Sequence, residues 1–429
     1  MKKFLENITT LIIVILIVVI IGLTTYFSLE VFNVINPPSK YSLEEAIYSK
    51  MNILANGEEL GKEEFENKVN SSSSSSDKII GKPRNVVVVK DGATTPITDT
   101  SKIDELEKIQ AEKLEILLEE EKLNKENNAE EEKVYVDASR FYYEQLDDNA
   151  KKIYDKLKDN MSELKTGNYE ADFGKEFNDL LHEPDGSDKL NNSFQLAINA
   201  LTFDNPNLFY IDVTKMYLTT EITTIAFSKT YRVKIGGNGT NYLSDTFQGE
   251  NDIHIAESRV EEVKDYLIHE TAGKDTEEKI RIVHDYFVDS VEYDISAGEN
   301  IYNLYGAMVD KVAVCEGYSR AFKYVLDELN IPCIIACGIA KNSRGVAEAH
   351  AWNYVFIDND WYAIDVTWDD PIIIGNGKVT NKIRYNYYLR GANKFFEDHF
   401  EDGNIVNKSG FKYPRLSVLD YFNDRPFNK

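Results

Sequence analysis

Apolar positions along the chain follow three regimes. The first is a run from Ile8 to Leu29 without a charge, centred on LIIVILIVVIIGL; about 20 such residues span a bilayer. The second, from 30 to 134, has no sustained period and joins a serine tract at 71–76, the turn-rich DGATTPITDTS and a charge-dense segment, so it reads as a stalk. Within it, IDELEKIQAEKLEILLEEEKLNKENN has a helical composition. Its Ile103, Leu106, Leu114 and Leu117 lie only loosely on one stripe, which favours a solvated spacer helix over a short coiled coil.

The third regime, from 135 onward, is patterned like a folded protein. In ASRFYYEQLDDNAKKIYDKLKDNM, Tyr142, Leu146, Ala150, Ile153 and Leu157 recur at threes and fours, one buried helical face. LNNSFQLAINALTF continues as helix until Asp204-Asn205-Pro206-Asn207 breaks it. TTEITTIAFSKTYRVKIGGNGT predicts a hairpin or two strands. A second helical region, SRVEEVKDYLIHETAGKDTEEKIRIVHDYFVDSVEYD, precedes EGYSRAFKYVLDELN, whose Tyr318, Ala321, Phe322, Val325, Leu326 and Leu329 share one face. PCIIACGIA reads as a strand, and HAWNYVFI with WYAIDVTW as a hairpin around Asp358-Asn359-Asp360.

Charge and cysteine content narrow the functional classes. The 429 residues carry 73 acidic and 48 basic side chains, a formal net charge of -25. Such a surface repels a phosphate backbone, so no nucleic acid is expected as a partner. Three cysteines imply no disulfide framework. Cys333 and Cys337, four residues apart on one strand, are separated by about 13 Å at roughly 3.3 Å per residue, too far for a bridge. Lys2 and Lys3 ahead of the apolar run keep the N-terminus (1–7) in the cytoplasm, so 8–29 is expected to be a transmembrane anchor with the rest extracytoplasmic. A cleaved signal peptide is the alternative, although GLTTYFSLEVF offers no clear cleavage site.

Candidate chemistry centres on Cys315, His350 and Asp365. Cys315 falls at the start of a helix, where the macrodipole and unpaired N–H groups would favour a thiolate and offer donors to an oxyanion. His350 could take the thiol proton and return it to a leaving amine if a third group fixed its tautomer. Asp365, set between Ile364 and Val366 in a strand-like run, needs compensation there, and an imidazolium would supply it. With Asn359-Asp360 as the turn, however, Asp365 would face Tyr354, so pairing with His350 requires a bulge or another register. His284 lies on an apolar face and reads as a core histidine; His182, His254, His269 and His399 lack partners at telling spacings, and no metal-ligand spacing is present.

VCEGYSRAFKYVLDELNIPCIIACG followed by HAWNYVFIDNDWYAIDVTWDDP resembles the transglutaminase-like superfamily of papain-type cysteine enzymes, in its bacterial branch. The likeness covers roughly 275–370. It implies an α+β fold with the cysteine on a helix packed against an antiparallel sheet, and a catalytic set of Cys315, His350 and Asp365. It also suggests Trp352 and Trp368 as site-lining residues, Asn303 or Tyr305 as oxyanion-stabilising candidates, and close packing at Gly317. The expected organisation is an α/β accessory domain at 135–260 and the transglutaminase-like domain at 261–429.

The implied function is a cell-surface thiol enzyme that attacks a carboxamide or peptide carbonyl through a thioester. Water as acceptor makes it a peptidase or amidase, and an amine makes it a cross-linking enzyme; these residues alone do not choose. The expected partners are a protein or peptide substrate at the cell surface or cell wall, and the membrane through the N-terminal helix. No cofactor or metal is expected. The alternative is a catalytically silent domain of this type acting as a binding or scaffold module.

Overall fold

The computed structural model describes residues 30–35, 100–127 and 135–423, apart from 226–227, 343–344, 371–383 and 404–409. The expected membrane anchor at 8–29 and the serine tract lie outside the described residues. Among those that are described, no helix is long and apolar enough to cross a membrane.

In chain order the main elements are β1 (Glu30–Ile35), α1 (Thr100–Asn127), α2 (Asp148–Lys158), β2 (Ala171–Gly174), α3 (Gly186–Asp204), β3 (Tyr217–Ile225) and β4 (Ser228–Gly236). They are followed by α4 (Glu250–Glu270), α5 (Thr276–Ser290), β5 (Glu292–Tyr293), β6 (Val312–Ala313), α6 (Cys315–Glu328), β7 (Cys333–Lys341), β8 (Ala347–Ile357), β9 (Asp360–Ile364) and β10 (His399–Glu401). Two antiparallel four-stranded sheets result, ordered β1-β3-β4-β2 and β10-β7-β8-β9, with β5 and β6 forming a short parallel pair. The α+β character implied by the sequence is present.

Local signals account for most boundaries. The predicted first helix starts later than its periodicity suggests, because Asp147 caps it by accepting from the Asn149 and Ala150 amides; Tyr143–Gln145 forms a separate 3-10 turn. The apolar face nevertheless stays intact, with Tyr142, Leu146, Ala150, Ile153 and Leu157 all buried. Helix α3 ends at Asn205-Pro206 as the breaker requires, and β3 with β4 makes the expected hairpin. Asp275 and Glu278 form a reciprocal capping box on α5.

Helix α6 is the centre of the packing. Tyr318, Ala321, Phe322, Val325 and Leu326 are fully buried, each large side chain contributing about 1.5–3 kcal/mol of transfer free energy. Asn353 on β8 stitches helix to sheet by donating to the carbonyls of Ser319 (3.0 Å) and Ile334 (3.2 Å). Toward the N-terminal half, Arg320 donates to the Thr202 carbonyl at 2.7 Å, and one continuous apolar core runs from Tyr142 through α6 to the second sheet. No break in packing marks residue 260.

The two described parts of the expected stalk depart from a solvated spacer. Residues 30–35 pair with β3 as an edge strand, Glu30 opposite Ile222. Helix α1 lies against the second sheet's other face, with Ile103 and Leu117 buried and Leu106 and Leu114 packed beside them. Gln110 is the polar residue that loosens the stripe in sequence, yet it occupies the stripe's middle at 4% exposure. Lys102–Asp402, Lys113–Glu401, Glu107–Lys341 and Glu120–Arg415 pairs flank the contact. The exposed Glu107–Lys341 and Glu120–Arg415 pairs contribute little, and apolar burial is the main hold on the helix. Leu117→Ala is therefore expected to lower stability by about 2 kcal/mol in denaturant unfolding; a value within about 0.5 kcal/mol of zero would restore the solvated-spacer reading.

Candidate active site

Cys315 is the first residue of α6, preceded by Val314 in extended conformation. Two close contacts fix that turn: the Val314 amide donates to the Ile301 carbonyl at 2.9 Å, and Gly317 lies so near the 301–303 segment that a Cβ there would stand 2.4 Å from the Ile301 oxygen. The expectation that Gly317 permits close packing beside Cys315 thus acquires a specific partner. Next in sequence, Glu316 is buried and pairs with Arg320 at 2.6 Å.

His350 lies on β8 opposite Gly338 of β7. Strand β9 turns around Asp358-Asn359, both with positive φ (51° and 69°), so Ile357 pairs with Asp360 and Asn353 with Ile364. This turn is one residue earlier than Asn359-Asp360, which moves Asp365 two positions along β8 toward His350. The strand stops at Ile364, and Asp365 turns inward: its Oδ2 accepts from His350 Nε2 at 2.8 Å, while its Oδ1 accepts from the Thr367 and Trp368 amides at 3.0 and 3.1 Å. Burial would raise the Asp365 carboxyl, but His350 and His399 together hold it well below the usual carboxylate range.

The second histidine was not legible from spacing. His399 Nε2 donates to the same Asp365 Oδ2 at 3.2 Å, and its Nδ1 to Asp398 at 2.7 Å. Gly338 makes this possible: a Cβ there would stand 2.0 Å from the Phe400 carbonyl, so only glycine lets β10 approach β7 so closely. The sequence signal was the Asp-His step in FFEDHFED, an acid adjoining a histidine in an aromatic run. The ligating atoms of His350, Asp365 and His399 fall within 4.8 Å of one another, as around a metal ion; the two hydrogen bonds to Oδ2 account for that approach.

Where β9 ends, β8 presents the Ala351 N–H, next after His350, to the Cys315 sulfur, favouring its thiolate. Burial outweighs this. Cys315 is 2% exposed and its thiol is pushed well above the ordinary range, the Glu316, Glu348 and Asp365 carboxylates adding to the rise. The low thiol pKa expected from the helix terminus is therefore not what the structure gives, because removing the sulfur from water disfavours the charged form more than the Ala351 amide favours it.

The suggested lining residues divide. Trp352 and Trp368 surround the histidines, with ring centroids 6.1 and 5.4 Å from His350, and both are buried, forming the site's inner wall. Asn303 caps a short turn, its Oδ1 accepting from the Tyr305 and Gly306 amides and its Nδ2 donating to the Phe209 carbonyl. Tyr305 stacks on Phe209 at 5.5 Å and accepts from Arg259. These engagements make Asn303 and Tyr305 braces of the 301–306 segment. His284 is a core residue as expected, bonded to Asp369 (3.2 Å) and Asp285 (3.1 Å), so Asp369 ties the loop after β9 to α5. Cys333 and Cys337 are free and buried in the core.

Gly317→Ala tests the brace beneath the cysteine. Overpacking against the Ile301 carbonyl is expected to cost about 1–3 kcal/mol in denaturant unfolding; an unchanged midpoint would show that the 301–303 segment yields freely.

Residues 266–366 match the sequence model of the Transglutaminase-like superfamily. Kyphoscoliosis peptidase of Homo sapiens is 26% identical over 162 residues, 34% of this chain and 24% of the human protein. The Mus musculus protein of that name is 24% identical over 137 residues, 29% of this chain and 21% of its own. The chain thus spans under a quarter of the length of these curated relatives. Among solved structures, a TGase is 15% identical with a TM-score of 0.25, covering 41% of this chain and 50% of that one. The periplasmic domain of TgpA from Pseudomonas aeruginosa, bound to ethylmercury, is 13% identical with a TM-score of 0.22, covering 36% and 72%. Residues 266–366, which hold Cys315, His350 and Asp365, are thus a domain of the transglutaminase-like superfamily.

Proposed function

We propose that the chain is a thiol acyl-transfer enzyme in which Cys315 is the nucleophile, His350 the proton carrier and Asp365 the group that orients it. The observation that carries this reading is the buried His350 Nε2 to Asp365 Oδ2 hydrogen bond, at 2.8 Å, beside the residue whose amide faces Cys315. A neutral imidazole that donates from Nε2 has its lone pair on Nδ1. Nδ1 then takes the thiol proton as the sulfur attacks a carboxamide or peptide carbonyl, and the same proton passes to the departing amine as the tetrahedral intermediate collapses to a thioester. Water or an amine next attacks the thioester and regenerates the thiol. The peptidase name of the mammalian relatives favours water as acceptor.

The substrate we propose is a protein or peptide at a cell surface or in a cell wall. The apolar 8–29 segment would anchor the chain in the membrane.

The 2% exposure of Cys315, with its thiol raised by burial, favours a second reading, a silent binding module. Peptide turnover by the full chain separates the two, with and without a primary amine and with thioester capture by mass spectrometry. The enzyme reading expects acylation at Cys315, none in Cys315→Ala, and a fall of up to about 10⁴-fold in Asp365→Asn, the scale known for orienting carboxylates. Binding without acylation across a broad peptide set would establish the silent module. An amine-linked product in place of the hydrolysed one would transfer the assignment to cross-linking.

A further inference from the structure

We propose that His399 is a positioning residue for the Cys315 reaction: a buried imidazolium that shares the Asp365 carboxylate with His350 and sets how firmly that carboxylate holds a proton on His350. The inference rests on the proposed roles of Cys315, His350 and Asp365.

The hydrogen bonds fix the charge of His399. Its two ring nitrogens face two carboxylates, Asp365 at 3.2 Å and Asp398 at 2.7 Å. An ionised carboxylate only accepts, so both nitrogens must carry hydrogen, which only the cation allows. A neutral ring would need a proton on Asp398, whose other oxygen already accepts from the Tyr387 hydroxyl at 2.7 Å. The surroundings hold the ring rigidly. Phe395 stacks on it at 4.1 Å, and Trp352, Trp368 and Tyr387 meet it nearly edge-on at 5.1, 4.7 and 5.2 Å. Burial would lower its pKa, but the Asp398 and Asp365 charges raise it to about 9.

The titratable groups around it are few enough to assign the consequence. His350 lies 5.7 Å away, centroid to centroid; Asp365 and Asp398 bind the ring, Asp398 engages Tyr387, and Asp369 and Cys315 couple to Asp365. An uncompensated buried carboxylate would trap His350 as imidazolium and hinder proton delivery to the leaving amine. His399 divides that carboxylate, fixing the aim of Oδ2 while moderating its pull. Removing the cation makes every nearby deprotonation harder, so the pKa values of Cys315 and His350 should both rise.

The test is the pH dependence, from 5 to 10, of iodoacetamide alkylation at Cys315 in the full chain, read by peptide mass spectrometry for wild type, His350→Ala and His399→Gln. The expected result is that the lower limb of the profile, in which His350 draws off the thiol proton, moves to higher pH by about one to three units in His399→Gln, the usual effect of one nearby charge, and is lost in His350→Ala. Superimposable profiles for wild type and His399→Gln, with His350→Ala still altered, would overturn the role of His399 alone. A His350→Ala profile equal to wild type would instead remove the catalytic reading on which it rests. Should His399→Gln fail to fold, ¹⁵N-histidine spectra of the wild type decide: both His399 nitrogens protonated from pH 5 to 8 upholds the proposal, and one bare nitrogen in that range overturns it.

Discussion

The second sheet and the loop after β9 are organised around one buried charge. Asp365 is fully shielded from solvent, and an isolated carboxylate there would be strongly destabilising or would neutralise itself. Its Oδ1 instead accepts two backbone amides and its Oδ2 two imidazoles. Each partner comes from a different place in the chain: the turn at 367–368, β8 and β10. Satisfying this carboxylate therefore fixes three segments relative to one another, which is why a single side chain can define the site's geometry. Asp369 repeats the device one turn later, accepting from the Tyr387 amide and meeting His284, and so ties the same loop to α5.

Two glycines supply the proximity that those bonds need. Gly338 admits β10 against β7, without which His399 could not reach Asp365; Gly317 admits the 301–303 backbone against the first turn of α6, which sets where Cys315 emerges. Neither glycine has a positive φ. Their role is close approach of backbone rather than unusual backbone conformation, and any side chain would push the adjoining segment outward. The buried Glu316–Arg320 pair complements this by joining α6 to the end of α3 through the Thr202 carbonyl.

Much of this was legible in the sequence where one short-range rule sufficed. The helical face of α6, the strands around His350 and Asp365, the breaker after α3 and the absence of a Cys333–Cys337 bridge each followed from periodicity or reach. What failed depended on longer range. The start of α2 was set by a cap that outweighed periodicity, and the hairpin turn was set by which two residues took positive φ, a one-residue choice that displaces Asp365 by two positions. Gln110 disguised a buried stripe because a polar residue scores as solvated whatever lies opposite it. His399 gave no spacing signal, since its partner stands 34 residues away and the contact depends on Gly338, 61 residues away in another strand.

The position of Cys315 turns burial into a condition on catalysis. The Ala351 amide favours negative sulfur, while exclusion of water and the carboxylates of Glu316, Glu348 and Asp365 oppose it more strongly. Burial therefore raises the Cys315 thiol above its ordinary range. In the proposed reaction, transfer to His350 would create charge only as a neighbouring pair, sulfur against imidazolium, which a low-dielectric site tolerates far better than a lone anion. The same requirement limits how strongly Asp365 should attract the imidazolium, because a pair held too firmly would not pass its proton to the leaving amine. A carboxylate already shared with a second cation meets both demands: it orients His350 completely and pulls on its proton only in part.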